Sequence, residues 1–313
     1  MPLFDSYIFA DWSARSTLGP AEPTADAIWV GESTPADDNV VDTSYFQGRQ
    51  LAVEHITERL LFHVEHNHRV LLGFDFCYGY PIGFTEALYL PHGKNAWWTI
   101  WSEVAMHIED NDANSSNRFS VASRFNRLLG FGDGGPFWGV PAHQADDHLW
   151  TTRPQFPFVT HNGVELNGLR ITEQRIGAVQ ESWKLYGAGC VGSQVLVGLP
   201  CVWQLRRHRQ LAHLSSVWPF ETHFTPTPSR VDGPCIVHAE IWPGIVKDTV
   251  NDILATDNNA IRDQVQVRAL CDWASGLDGQ QTLAHHFNTP PNLTTAQIAT
   301  CVNHEGWILG TDI

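Results

Sequence analysis

The sequence predicts an α/β fold in which helices flank a mixed central sheet. Three apolar runs, YIFA at 7–10, VLLGF at 70–74 and CIVHA at 235–239, have the length and composition of buried strands. Helical patterns separate these runs, as expected when helices cover a sheet. The chain has 313 residues, 43% of them hydrophobic, which is enough for a large core, and we treat it as one elaborated domain over residues 1–313.

The N-terminal elements follow from composition and periodicity. After the first strand, DAIWVGE at 26–32 predicts a second strand, and residues 42–46 predict a short third one. Residues 48–68 carry apolar side chains near helical spacing, so an amphipathic helix precedes the strand at 70–74.

The middle of the chain has a less regular pattern. Residues 96–108, 117–130 and 189–208 have helical composition, whereas residues 142–182 are polar and irregular. We assign the segment from roughly 85 to 230 to insertions into the central α/β fold.

The last long helix is predicted over residues 258–278. Asn259 is a plausible N-cap for it, and Asp263 falls in its early turns.

Charge and composition limit the partners. The formal net charge of −15 opposes stable, sequence-independent binding to nucleic acid, so a nucleic acid or a phosphorylated small molecule would be bound locally. The six cysteines occur singly and are expected to be reduced. No apolar run approaches the roughly 20 residues of a membrane span, and the N-terminal segment lacks a basic flank, so we expect a cytoplasmic protein with no membrane partner. The oligomeric state is left open.

Acidic residues recur at the ends of the apolar runs. Asp11 and Asp75 directly follow such runs, and Glu240 lies inside the third, which continues as IWP at 241–243. If these strands are parallel neighbours, the carboxylates converge on one edge of the sheet, where Asp263 could join them. Clustered carboxylates repel each other unless a cation neutralises them, and their oxygens suit Mg²⁺ or Mn²⁺. The alternative for each acid is a turn or cap residue.

The sequence also resembles a known family. The segments FADWSA, GFDFCYGYP, FWGVP, KLYGAGCVGSQVLVGLP, HAEIWPG and EGWILG are similar to those of an uncharacterised bacterial family, whose members are sometimes labelled cobalamin- or molybdopterin-biosynthesis proteins. That family is in turn similar to predicted ribonuclease-H-like nucleases.

The resemblance implies a ribonuclease-H-like fold and a metal-dependent nuclease site. It makes Asp11, Asp75, Glu240 and Asp263 the catalytic and metal-binding residues. The chain departs from the pattern in its late helix, where Gln266 and the following Val267 stand at the place of a second acid.

Glycines and basic residues offer candidate phosphate contacts. GAGCVG at 187–192 satisfies Gly-x-Gly-x-x-Gly, but the preceding segment is not a typical strand, which disfavours a dinucleotide site. Amides at the start of the following helix could instead hold a phosphate, with Lys184 and Ser193 nearby; the alternative is close packing of the helix start. The basic cluster with Arg206 and Arg207 either grips substrate phosphates or is an exposed helix end.

Three further features have simpler interpretations. Ser13 either orients water or substrate, or caps a turn. Cys190 lacks an identifiable histidine partner and is expected to be a buried thiol. His63, His66 and His68 lie at a helix end, where the helix dipole favours histidine, so a solvated turn explains them without zinc.

Two functions of different class remain, besides a catalytically silent scaffold for a partner protein. The first is metal-dependent phosphodiester hydrolysis at the carboxylate cluster with one or two Mg²⁺ or Mn²⁺ ions. The second is binding or turnover of a phosphorylated small molecule or nucleotide in cofactor metabolism.

Overall fold

The computed structural model has a six-stranded mixed sheet at its centre, in the order β3-β2-β1-β4-β8-β7. A separate two-stranded hairpin, β5-β6, lies outside this sheet. The strands are β1 (Ser6–Asp11), β2 (Ile28–Ser33), β3 (Val41–Phe46), β4 (Arg69–Phe74), β5 (Phe158–Val159), β6 (Glu165–Leu166), β7 (Ser215–Val217) and β8 (Cys235–Glu240). The residues described are 2–34, 40–91, 94–132, 134–177, 179–230 and 232–311.

Strand direction divides the sheet into two halves. β1, β2 and β3 form an antiparallel meander, whereas β1, β4, β8 and β7 run parallel to one another. The carboxyl ends of β1, β4 and β8 therefore lie at one edge of the sheet.

Helices cover both faces of the sheet. Among the described residues, no helix is long and apolar enough to cross a bilayer. Short 3-10 turns occupy Ala142–Gln144, Pro243–Val246 and Leu283–Phe287, and a π-helical turn occupies Cys301–Glu305. The α-helices are α1 (Arg49–Glu65), α2 (Phe84–Ala87), α3 (Ala96–His107), α4 (Arg118–Leu129), α5 (Ile171–Ile176), α6 (Gly192–Arg206), α7 (Lys247–Thr256), α8 (Arg262–Gly279) and α9 (Thr295–Thr300).

Alternation along β1 sends side chains into two separate cores. Ile8 and Ala10 join the core formed with α1, α3, α4 and α6, whereas Tyr7 and Phe9 join the core formed with α7 and α8. Asp11, two residues after Phe9, therefore belongs to the α8 side of the sheet.

Helix α8 packs closely across the meander. A Cβ atom added to Gly31 of β2 would lie 2.9 Å from the carbonyl oxygen of Val267, so a glycine is required for this approach. Val267 is fully buried there, which explains why an apolar residue stands at this position of the helix.

Most predicted elements are present, with local corrections. The N-cap of α8 is Ile261, and Asn259 instead donates its amide to Asp257 Oδ1 in the preceding turn. The segment expected to be irregular contains the hairpin and α5, and β7, α7 and α9 were not expected from the sequence. Each of these is ten residues long or less, too short for a clear periodic signal.

Candidate functional site

A cavity of about 450 Å³ opens at the carboxyl edge of the parallel strands. We call it the strand-end cavity. Its wall combines strand ends, the loop before α6 and the first residues of α7 and α8. Residues with reactive or charged side chains on this wall include Asp11, Asp75, Cys190, Glu240, Lys247 and Arg262. Ligands bind at this edge in many open α/β sheets.

Asp11 and Asp75 lie side by side in this cavity. Ala10 of β1 is in register with Phe74 of β4, and the Asp75 amide donates to the Ala10 carbonyl at 3.3 Å, which carries the pairing one residue further. Residues in register on parallel strands point to the same face. The Trp12 amide donates to Asp75 Oδ1 at 2.7 Å, which fixes that carboxylate.

The two carboxyl groups are electrostatically unfavourable in the absence of a cation. Desolvation, followed by repulsion from Asp75 and Asp263, raises the pKa of Asp11 well above its usual value. Desolvation also raises the pKa of Asp75 to about 7, against the opposing effect of the Trp12 hydrogen bond. The Asp11 carboxyl accepts no hydrogen bond from any described residue, which leaves its oxygens available to a ligand.

Asp263 lies close enough to raise the pKa of both groups, but it is not among the residues that line the cavity. It is the second residue of α8, and its Oδ2 accepts a hydrogen bond from the Ala27 amide at 3.4 Å. Burial raises its pKa. Within the described ranges, no group of three or more His, Cys, Asp and Glu side chains is arranged to hold a metal ion. The acidic centre is thus a cavity-facing pair, with a third acid nearby.

Glu240 borders the cavity, and its carboxylate is paired with an arginine, whereas a metal ion was predicted. It pairs with Phe74, one residue before Asp75, so its side chain points to the opposite face of the sheet. There Arg170 donates to its two oxygens at 2.6 and 2.8 Å, and the Tyr78 amide donates at 2.8 Å. Because these donors occupy both oxygens, the structure gives Glu240 a buried ion pair in place of the predicted metal contact.

Two basic residues that the sequence analysis did not select line the cavity. Lys247 and Arg262 are the first residues of α7 and α8, and both are exposed. Neither forms an ion pair or hydrogen bond with any other residue in the described part of the chain. The only sequence signal for Arg262 is its position next to Asp263, and Lys247 carries none.

Gln266 also lines the cavity, one helical turn after Asp263. The position at which the resemblance expects a second acid therefore does face the site, and an amide occupies it. The neighbouring Val267 faces the core.

The glycine segment contributes its loop to the cavity wall, and the amide of Gly192 is already bonded within the protein. Gly189, Cys190 and Val191 line the cavity. Gly192 packs closely, because an added Cβ would lie 2.5 Å from the Ser182 carbonyl oxygen, and its amide donates to the Lys184 carbonyl. Close packing of the helix start, the alternative interpretation, thus describes Gly192.

Ser193 and Lys184 have internal partners. The buried Ser193 hydroxyl donates to the Leu185 carbonyl at 2.6 Å and accepts from Arg118 Nε at 3.0 Å. Lys184 Nζ donates to the Ala188 carbonyl at 2.7 Å. Neither residue is among those that line the strand-end cavity.

The basic cluster at 206–207 lies at the far end of α6. At ~1.5 Å per residue, this helix separates it from the cavity by roughly 20 Å. Arg206 pairs with Glu221 at 2.7 Å, and the Arg207 guanidinium lies 4.8 Å from the Trp203 ring centre. The structure does not bring these residues to the site.

Two other predicted residues have local surroundings. Ser13 donates to the Asp26 carbonyl and accepts from the Arg15 amide, as a turn-capping residue does. Cys190 is half-buried, and burial raises the pKa of its thiol.

His63 is fully buried, so the expectation of a solvated turn is wrong for this residue. Its Nε2 lies 2.8 Å from Glu32 Oε1, and its Nδ1 lies 2.9 Å from His68 Nδ1.

Comparison with protein-family models, curated proteins and solved structures gave no match to this chain. The resemblance to ribonuclease-H-like nucleases therefore stays a prediction.

Proposed function

We propose that the protein hydrolyses phosphodiester bonds in the strand-end cavity, with Mg²⁺ or Mn²⁺ held by Asp11 and Asp75. The observation that carries this proposal is the pairing of two in-register carboxylates that face a cavity and have no basic side chain bonded to them in the described residues. Such a pair is costly unless a cation neutralises it. We also propose that the fold is ribonuclease-H-like, supported by the β1–β2–β3 meander with β4 and β8 parallel to β1.

The side chains present fit a hard divalent cation. Carboxylate oxygens are its preferred protein ligands, and Asp11 has both oxygens available. Asp75 keeps one oxygen available while the Trp12 amide orients the other. When bound, the cation would lower the pKa of a coordinated water and neutralise charge on the phosphate.

The remaining residues assist this chemistry. Lys247 and Arg262 would attract and orient the anionic phosphate, because both project from helix N-termini at the cavity wall. Asp263 would raise the affinity of the site for a cation through its charge. Glu240, held by Arg170, would support the loop after β4 through its bond to the Tyr78 amide.

A second candidate function is binding of a phosphorylated small molecule without hydrolysis. The observation that favours it is Gln266, an amide at the cavity position where the nuclease pattern has an acid. With an amide in place of a carboxylate, the cavity binds a cation less tightly. The amide can instead bind an uncharged group of a ligand.

Hydrolysis of bis(p-nitrophenyl) phosphate in Mn²⁺ and Mg²⁺ tests the proposal. We expect metal-dependent release of nitrophenol by the wild type, and none by Asp11→Asn or Asp75→Asn. Asp272→Asn, an exposed position of α8 that does not line the cavity, is the matched control and should keep full activity. Absence of both hydrolysis and Mn²⁺ binding in the wild type would overturn the proposal. Mn²⁺ binding through Asp11 without hydrolysis would favour the second candidate.

A further inference from the structure

The strand-end cavity has the dimensions of a small-molecule site. Its volume of about 450 Å³ lies within the range of roughly 300–1,000 Å³ that is usual for such sites. A polynucleotide needs a longer surface, along which several Lys or Arg side chains contact successive phosphates. Here the basic side chains that line the cavity are Lys247 and Arg262, on a chain of net charge −15. The positive charge of these two side chains is enough to bind one or two phosphate groups.

The other walls suit a heterocyclic base. Trp242 offers a half-buried aromatic surface, and Val191 and Ile308 are apolar residues that also line the cavity. The amides of Gln180 and Gln266 also line the cavity, and neither side chain forms a hydrogen bond with a described residue. Amide groups of this kind can both donate to and accept from the polar edge of a base.

We infer that the substrate is a mononucleotide-sized phosphodiester, bound through its phosphate by Lys247 and Arg262 and through its base by Trp242 and the glutamine amides. This inference rests on the proposed function, whose substrate class it names. Because of their opposite charges, the divalent cation and the substrate phosphate should bind cooperatively. Ionised Asp11 and Asp75 repel a phosphate, and a divalent cation held by these residues would offset that repulsion.

Calorimetric titration of the wild type with thymidine 3′,5′-bisphosphate tests this substrate class. The probe has a base and two phosphates but no phosphodiester bond, so binding is measured without turnover. We expect binding that tightens when Mn²⁺ is present, and weaker binding of ribose 5-phosphate and of a 20-nucleotide single strand or duplex. Lys247→Gln, Arg262→Gln and Trp242→Leu should each raise the Kd about tenfold. Arg268→Gln, an exposed arginine of α8 that does not line the cavity, should leave it unchanged.

The outcomes separate this inference from the function on which it rests. Tighter binding of the 20-mer or duplex than of the bisphosphate would overturn the mononucleotide assignment while metal-dependent hydrolysis stood. Equal binding of ribose 5-phosphate and the bisphosphate, or an unchanged Kd in Trp242→Leu, would overturn base recognition. Failure of the wild type to bind the bisphosphate in Mn²⁺, with bis(p-nitrophenyl) phosphate still cleaved, would overturn the inference alone.

Discussion

Arg170 holds the carboxylate of Glu240 through both terminal nitrogens, at 2.6 and 2.8 Å, in a fully buried pair behind the strand-end cavity. The same guanidinium donates to Glu173 Oε1 at 2.8 Å and to the Glu305 carbonyl at 2.7 Å. One cation thus joins β8, α5 and the C-terminal π-helical turn.

Removal of this cation should destabilise the protein strongly. We expect Arg170→Met to lower the free energy of unfolding by about 3–5 kcal/mol, because it leaves buried carboxylates without a partner. Urea denaturation measures the loss. The milder Glu240→Gln should keep the Mn²⁺ affinity of the wild type while it reduces stability. Loss of Mn²⁺ binding in a folded Glu240→Gln variant would restore Glu240 as a metal ligand.

Asp11→Asn should change the response to metal and leave the fold intact. The metal-free variant is expected to be at least as stable as the wild type, because one member of a repelling pair becomes neutral. Wild type should gain about 2.7 kcal/mol at a hundredfold excess of Mn²⁺ over its Kd, a shift of a few degrees in Tm. Thermal melts in chelator and in Mn²⁺ measure both effects. A variant that melts far below the wild type in chelator would make Asp11 a structural residue.

Ionisation of Asp75 should lower the stability of the metal-free protein as pH rises from about 4 to about 7. Asp75 has a pKa of about 7 in the folded protein, against ~3.9 in an unfolded chain. The folded state therefore binds more protons than the unfolded state between these two pH values. As the pH rises, ionisation of the buried group costs the folded state free energy. Urea denaturation in chelator at several pH values should show the slope, and Asp75→Asn should flatten it. Equal slopes in the two proteins would contradict the raised pKa.

Gln266→Glu should restore a third cavity-facing carboxylate. We expect Mn²⁺ to bind about tenfold more tightly, which corresponds to ~1.4 kcal/mol, and the metal-free protein to lose stability from the added repulsion. Isothermal titration with Mn²⁺ measures the affinity. Gln280→Glu, at the exposed C-cap of the same helix, adds the same charge outside the cavity and should leave the Mn²⁺ affinity unchanged. An equal effect from both substitutions would show that net charge alone is responsible.

Gly31→Ala should disturb the contact between β2 and α8. Its Cβ would meet the Val267 carbonyl oxygen at 2.9 Å, so the helix must shift, and we expect a loss of roughly 1–3 kcal/mol in unfolding free energy. Gly276→Ala is the contrast. It lies within α8 with no atom within 4 Å of the added Cβ, and it should stabilise the protein by about 0.5–1 kcal/mol. Chemical denaturation of both variants distinguishes them, and a neutral Gly31→Ala would contradict the tight packing.

The sequence by itself determined the strands that carry Asp11 and Asp75, because apolar runs bounded by turns are local signals. It also placed α1 and α8 to within a few residues, since their periodicity extends over several turns. The convergence of Asp11 and Asp75 depends on β1 and β4 being parallel neighbours, a condition that the pairing of these two strands in the fold meets. The strand ends themselves need no long-range information.

Only the tertiary structure decided which of the other residues reach the site. Glu240 has the same sequence setting as Asp75, but a register offset of one residue turns it to the opposite face and to Arg170. Lys247 and Arg262 both line the cavity although they begin different helices, and Arg206 lies at the far end of α6. Register and helix packing depend on contacts between distant segments, and these are not encoded in any local pattern of the chain.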